Sequence, residues 1–300
     1  MANKYFIKNI GLLKASGKDL IDFINRMSSN DLRKFPTNEF RKTVLTTDKG
    51  RIVDLINILN FPDKQFILAS DSFPNKIISH LDKYIIVDDV VLESAADKFF
   101  NIIVTGNDLF QTAKNLFGLD AEKNKVYKLE EDEFLFIDDF KFDSLNIICK
   151  ESSLEKFKEI LKDFTSQSCE EYEYFRIGAG LPEGENELND NINPMECGLD
   201  KYISFVKGCY IGQEVIARLD SQGKRPKQMV KIESEKKLNK DDKIYLDDKE
   251  TGFISSTISH EEKNTALGFI RSVNLDFAKE YFIKNNKEEK IKINISKLNQ

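Results

Sequence analysis

The run Lys207-Gly208-Cys209-Tyr210-Ile211-Gly212-Gln213-Glu214 places a cysteine between two glycines. It lies where a strand-like stretch, Tyr202 to Val206, hands over to a helix-like one, Gln213 to Leu219. Val215, Ile216 and Leu219 share one face of that helix. Glycine suits such a corner because it tolerates positive φ and lets a backbone or a ligand approach closely. A thiol at a helix N-terminus beside Lys207 sits in positive potential and ionises more readily than free cysteine, whose pKa is about 8.5. Spacing alone leaves two readings open: a small buried residue on a tight turn, or a functional thiol.

Outward from that corner, the 300 residues are enough for two or three domains. With 40% hydrophobic and 32% charged residues, the composition is that of a soluble globular protein. No apolar run approaches the roughly 18 residues that span a bilayer. Met1 to Ile10 carries neither a secretory signal pattern nor a transit-peptide composition. We therefore expect a cytoplasmic protein without a membrane association. A formal net charge of −6 argues against a large nonspecific nucleic-acid footprint, which needs many Lys and Arg contacts to phosphate. Cys149, Cys169, Cys197 and Cys209 form no CxxC pair, and His80 and His260 are the only histidines. No resident metal site is expected from such spacing.

Hydrophobic periodicity predicts helices over 16–27, with Ser16 as N-cap, and over 107–117. It also predicts helices over 153–164, with a Ser152–Glu155 capping box, and over 169–177, with Ser168 and Glu171 as theirs. Pro74 opens another helix that runs to about Leu81. Strands are expected at 51–59, 65–69, 84–91, 99–104, 134–137 and 145–149. The stretch 181–195 reads as a long loop of the functional or mobile kind, and 220–227 as a linker. Short strands at 229–232, 243–246, 252–259, 266–271 and 290–295 then suggest a small β-barrel or sandwich. The fold class is α+β.

Several other residues can carry chemistry. Glu214 and Arg218 stand four apart and can pair along the helix, and Arg218 joins Lys224, Arg225 and Lys227 in a basic cluster. That cluster is either an anion site or a solvated linker. Tyr172, Tyr174 and Phe175 precede Arg176 and the small residues Gly178, Ala179 and Gly180; aromatic faces beside a tight backbone can stack a flat heterocycle or simply fill a core. Asp54 lies in the apolar strand 51–59, so it is paired, protonated, facing a cavity, or in solvent at one end of the strand.

KGCYIGQE followed by Val-Ile-Ala-Arg resembles the signature of the YgfZ family, folate-binding proteins related to the T protein (aminomethyltransferase) of the glycine cleavage system. Gly17-Lys18-Asp19, Asp48-Lys49-Gly50-Arg51, the Arg176 to Pro182 stretch RIGAGLP, Asn193-Pro194-Met195-Glu196 and Ala266-Leu267-Gly268-Phe269 are similar to further blocks of that family. The resemblance implies a GcvT-like cloverleaf: two interleaved α+β (ferredoxin-like) subdomains over 1–226, the second beginning near 98, and a C-terminal β-barrel over 227–300. It also implies a tetrahydrofolate-type cofactor, with Tyr172, Arg176, Asp54, Gln213, Glu214 and Arg218 as its contacts and Cys209 and Lys207 as the chemical centre. The implied function is accessory to the assembly or repair of iron–sulfur enzymes, with those enzymes or cluster-assembly proteins as partners and an indirect effect on tRNA modification. A folate-dependent aminomethyltransferase is the alternative. Three features depart from the pattern. Gly178 stands where the family carries a glutamate, Val53-Asp54 replaces the paired aspartates of T proteins, and Ile10 and Tyr172 occupy approximately the positions of two tryptophans.

Overall fold

The computed structural model describes residues 3–70, 74–95, 97–261, 263–284 and 289–298. The chain divides into two compact units. One comprises Met1–Asp48, Val53–Cys169 and Tyr202–Ile211; the other comprises Lys49–Ile52, Glu170–Lys201 and Gly212–Gln300.

The first unit holds two sheets through which the chain passes alternately. A six-stranded sheet runs in the order Thr165–Ser166, Lys4–Ile10, Phe99–Thr105, Ser144–Lys150, Glu133–Asp138, Val126–Glu130. A five-stranded sheet runs Glu39–Thr46, Ile52–Asn60, Gln65–Leu68, Leu12–Ser16, Val91–Ser94. Period-2 alternation decides which side chains go where. Leu135 and Ile137 face one way, with Ile102, Val104, Leu145 and Ile147, and bury against Leu109, Ala113, Phe157 and Leu161. Phe134 and Phe136 face the other way and join Leu12, Phe40, Leu59, Phe61, Phe66 and Phe99 in a core drawn from both sheets. The outer face of the five-stranded sheet is closed by the helix Leu20–Met27, whose Leu20, Phe23, Ile24 and Met27 fall at helical spacing.

The second unit contains a closed six-stranded barrel in the order Lys227–Ser234, Lys263–Arg271, Lys249–His260, Lys243–Leu246, Tyr281–Lys284, Lys290–Lys297. Val230, Ile232, Ile254, Ala266, Ile270, Tyr281 and Ile293 fill its interior. Outside the barrel this unit carries the helices Cys169–Ala179, Gly184–Glu187 and Gln213–Ser221. Among the described residues, no helix is long and apolar enough to cross a membrane.

Several expected elements differ. The stretch 84–91 is not a strand; only Val91–Ser94 pairs. Ile86 and Val87 are 84% and 91% exposed, while Asp88 pairs with Arg26 and the Asp89 N–H donates to Asp19 at 2.9 Å. Gly17 permits this closure: its φ is +117°, and a Cβ there would lie 2.0 Å from the Asp89 carbonyl oxygen. Ser16 ends a strand, and Asp19 is the N-cap. The Ser152–Glu155 capping box is absent because Ser152 lies within a 3-10 turn, Glu151–Ser153, ahead of the helix Leu154–Ile160.

The stretch 181–195 is no free loop. Asn193 caps a 3-10 turn, Pro194–Cys197: its side chain accepts from the Met195 N–H at 2.8 Å, and Glu196 accepts from the Asn193 N–H at 2.9 Å. Asn-Pro-Met-Glu is thus a capping box with proline at N1. Glu196 also accepts from the Lys227 N–H at 3.2 Å, and the Ile52 N–H donates to the Ile192 carbonyl at 2.9 Å.

Candidate functional site

Tyr202 to Val206 is not the expected strand. A 3-10 turn, Asp200–Tyr202, precedes a segment without ladder partners. That segment is held in its own way. The Ser29 hydroxyl donates to the Tyr202 carbonyl at 2.6 Å, and the Ser204 N–H donates to the Ser29 carbonyl at 2.9 Å. On the far side of the cysteine, the Ile211 N–H donates to the Arg26 carbonyl at 2.9 Å, and the Thr46 hydroxyl to the Ile211 carbonyl at 2.7 Å. Between these anchors the side chains alternate. Lys207 and Tyr210 are buried, whereas Phe205, Val206, Gly208 and Cys209 are exposed. The buried-turn reading of Cys209 is therefore set aside: the thiol stands on the surface of a segment fixed at both ends.

Lys207 points inward. Its ammonium donates to the carbonyls of Asn25 at 2.5 Å, Ser28 at 2.9 Å and Asn30 at 2.6 Å, at and just beyond the C-terminus of the helix Leu20–Met27. All three protons are used, and a cation at a helix C-terminus is favoured by the helix dipole. Its Nζ also lies 5.1 Å from the Tyr210 ring centroid. Burial pushes its pKa down to about 8, opposed by the charge of Asp31. Lys207 therefore holds the segment in place; its amine is spent on carbonyl groups. The helix effect expected on Cys209 is also displaced, since the helix starts at Gln213 with Gly212 (φ +77°) as N-cap, three residues after the thiol. Dipole effects fall off within the first turn.

Asp54 is buried and paired. One oxygen accepts from the Ser70 hydroxyl and, at 2.8 Å, from the Leu55 N–H; the other accepts from the Ser70 N–H at 3.1 Å. Solvent exposure at the strand end is thereby excluded. In the same unit a cleft of about 290 Å³ opens at the crossing between the sheets, with apolar walls from Ile10, Leu12, Pro74 and Phe99 and polar edges from Asn9, Ser94, Asp97 and Lys98.

In the second unit, Arg176 is 2% exposed. Its Nε donates to both oxygens of Glu173 at 2.9 Å, its Nη1 to the Leu181 carbonyl at 3.3 Å and to Glu187 at 3.4 Å, and its Nη2 to the Ser256 hydroxyl at 3.1 Å. The Tyr172 hydroxyl donates to Glu183 at 3.2 Å, and burial raises its pKa. The Arg-Ile-Gly-Ala-Gly-Leu-Pro stretch ends its helix by a Schellman turn. Gly180 has φ +73°, its N–H donates to the Ile177 carbonyl at 3.1 Å, and the Leu181 N–H donates to the Arg176 carbonyl at 2.9 Å. A Cβ built on Gly178 meets nothing within 4 Å, so the place of a longer side chain is open. Glu214 and Arg218 are both exposed on the helix Gln213–Ser221; among the described residues no ion pair joins them. Gln213 opens that helix and is half-buried. Gly50 (φ +64°) packs there, its Cβ position 3.1 Å from the Gly212 carbonyl oxygen.

Residues 7–138 match the family model described as the GCVT N-terminal domain. The aminomethyltransferase of Staphylococcus carnosus (strain TM300) is 22% identical over 315 residues, covering 98% of this chain and 85% of the relative. That of Thermosipho melanesiensis is 24% identical, over 87% of this chain and 77% of the relative. The crystal structure of glycine cleavage system aminomethyltransferase T from Bartonella henselae superposes with a TM-score of 0.83 at 13% identity, covering 99% of this chain and 86% of that one. The fold is GcvT-like.

The GcvT-like frame puts the sequence-derived residues into separate settings. Cys209 and Lys207 share one segment of the first unit, facing opposite ways, and Asp54 is tied to Ser70 within that unit. Tyr172 and Arg176 are enclosed by carboxylates of the second. Sequence reasoning missed Glu187 and Ser70, whose importance comes only from their buried partners. Among the described residues, no group of three or more His, Cys, Asp or Glu side chains is arranged to hold a metal ion.

Proposed function

We propose that this GcvT-like protein is a folate-binding accessory factor for the assembly or repair of iron–sulfur enzymes, with Cys209 as its functional thiol, and that tRNA modification depends on it indirectly. The observation that carries the reading is the display of Cys209 on a segment whose flanks are locked by Lys207, Tyr210 and Ile211. A rigidly presented, accessible thiol suits transient contact with a partner or with iron. Further ligands for such an iron would come from the partner.

The folate part is supported by the GcvT matches and by the cleft lined by Ile10 and Phe99, whose apolar walls and few polar edges suit a flat heterocycle. A folate would supply one-carbon or redox chemistry when bound. Here the chain offers it apolar walls and hydrogen-bonding groups.

Complementation tests the reading. In cells lacking their own YgfZ-type protein, wild type restores an iron–sulfur-dependent tRNA thiomethylation and Cys209→Ser does not. Equal rescue by both makes the cysteine dispensable and overturns the thiol role.

A folate-dependent aminomethyltransferase is the second reading, favoured by the names of the relatives and by the buried acid Asp54. Under it, Cys209→Ser keeps full activity and Asp54→Asn loses it.

A further inference from the structure

Ser255 and Ser256 are consecutive in the strand Lys249–His260, yet both hydroxyls reach one oxygen, Oε1 of Glu187, at 2.7 and 2.6 Å. Neighbouring strand residues ordinarily point to opposite faces. Here a β-bulge between Ile254 and Ser256 turns both to the same side. Glu187 itself is fully buried at the end of the helix Gly184–Glu187.

The protons around this carboxyl can be counted. Ser256 accepts from Arg176 at 3.1 Å, so its own proton is directed to Glu187 Oε1. Ser255 has one proton and two oxygens in reach, Glu187 Oε1 at 2.7 Å and the Leu267 carbonyl at 3.1 Å. Both contacts become hydrogen bonds only if Glu187 donates to Ser255 and Ser255 donates to Leu267. Oε2 of Glu187 then remains the acceptor for the Glu183 N–H at 3.2 Å and Arg176 Nη1 at 3.4 Å.

The charges agree. From the helix Cys169–Ala179 come Arg176, Glu173 and Tyr172; from the 181–197 segment come Glu183, Glu187 and Cys197, whose thiol donates to the Glu187 carbonyl at 3.4 Å; among the described residues the barrel supplies the two serines. One guanidinium faces three carboxylates, and its shortest bonds go to Glu173. A charge on the fully enclosed Glu187 would have to share Arg176, 3.4 Å away, with Glu173 and Glu183. Burial raises the pKa of Glu187, the charge of Arg176 and the serine hydrogen bonds working against it.

We propose that Glu187 holds a proton at neutral pH and that losing this proton loosens the 183–197 segment from the barrel, a pH-sensitive latch within the second unit. The folded chain binds this proton more tightly than the unfolded chain. The contribution to stability is therefore full in acid and falls as pH rises, until Glu187 itself ionises.

The experiment compares wild type with Glu187→Gln, whose amide mimics a neutral acid. Infrared difference spectra near pH 6 should show a protonated carboxyl stretch in wild type that the variant lacks. Limited proteolysis within 183–197, as the ratio of wild type to variant, should rise severalfold from about pH 6 to about pH 9 as Glu187 loses its proton. A missing carboxyl band, or a ratio that stays flat with pH, overturns the proposal. Should the glutamine variant not fold, the wild-type carboxyl band and its disappearance between about pH 6 and about pH 9 decide in its place, and the absence of either overturns the proposal.

Discussion

Lys207 donates to the carbonyl oxygen of Asn25 at 2.5 Å, across 182 positions of sequence. With Ser28 and Asn30 this makes one side chain the closure for three carbonyl groups in the last turn of a helix and just beyond it. Lys207→Met keeps the aliphatic stem and removes the donors, leaving those carbonyls to find other partners. The expected loss is about 3 kcal/mol, from the cost of unsatisfied buried polar groups, read by urea unfolding.

The same lysine sets a pH dependence. Its pKa falls from 10.5 to about 8 in the folded chain. Below pH 8 folded and unfolded chains both carry the proton, so its contribution is level there. Between about 8 and 10.5 the unfolded chain binds more protons, so this group makes stability rise with pH. Unfolding curves taken across that window should show the rise in wild type and not in Lys207→Met. A wild type that shows no difference from the variant contradicts the buried ammonium.

Thiol accessibility separates the four cysteines. Cys169 and Cys209 are exposed, Cys149 and Cys197 buried. Burial pushes the Cys149 thiol up to about 12. A maleimide at neutral pH should modify two thiols rapidly in the native protein and all four only after denaturation. Cys209→Ser should remove one of the fast sites and change stability by less than about 0.5 kcal/mol, as surface substitutions do.

Much of this architecture was readable from periodicity: the strands around Ile56, Ile102, Leu135 and Ile147, the helix after Pro74 and most barrel strands. Ile86 and Val87 look like strand residues, but their neighbours Asp88 and Asp89 are drawn to Arg26 and Asp19, a tertiary preference invisible to local pattern. Lys207 beside Cys209 reads as a tuning charge, because sequence gives proximity without direction. Tyr281–Lys284 was not expected as a strand; its pairing with Lys290–Lys297 and Lys243–Leu246 places it in the barrel.

Gly178 tests the open space on the helix Cys169–Ala179. A glycine in a helix costs roughly 0.5–1 kcal/mol relative to alanine, and a Cβ here meets nothing within 4 Å. Gly178→Ala should therefore stabilise the protein by about that amount in thermal unfolding. Gly178→Glu should also fold and, under the folate reading, tighten binding of a reduced folate in titration calorimetry. Gly180→Ala should do the opposite. It forces a side chain into left-handed φ and to 2.6 Å from Leu298 Cδ2, costing about 1–2 kcal/mol.

Arg176 offers two sharply different expectations. As a cofactor contact, its removal weakens folate binding and leaves the fold alone. As the partner of Glu173, Glu183 and Glu187, its removal leaves one buried and two partly buried acids without their guanidinium. Breaking a buried pair from one side costs about 3–5 kcal/mol. The geometry favours the second outcome, because the guanidinium is enclosed and its donors end on Glu173, Leu181, Glu187 and Ser256. Arg176→Met should lower the urea midpoint strongly. The loss should shrink in acid, where protonation of Glu173 and Glu183 removes the charge that Arg176 offsets. A variant as stable as wild type at neutral pH would return Arg176 to the role of a ligand contact.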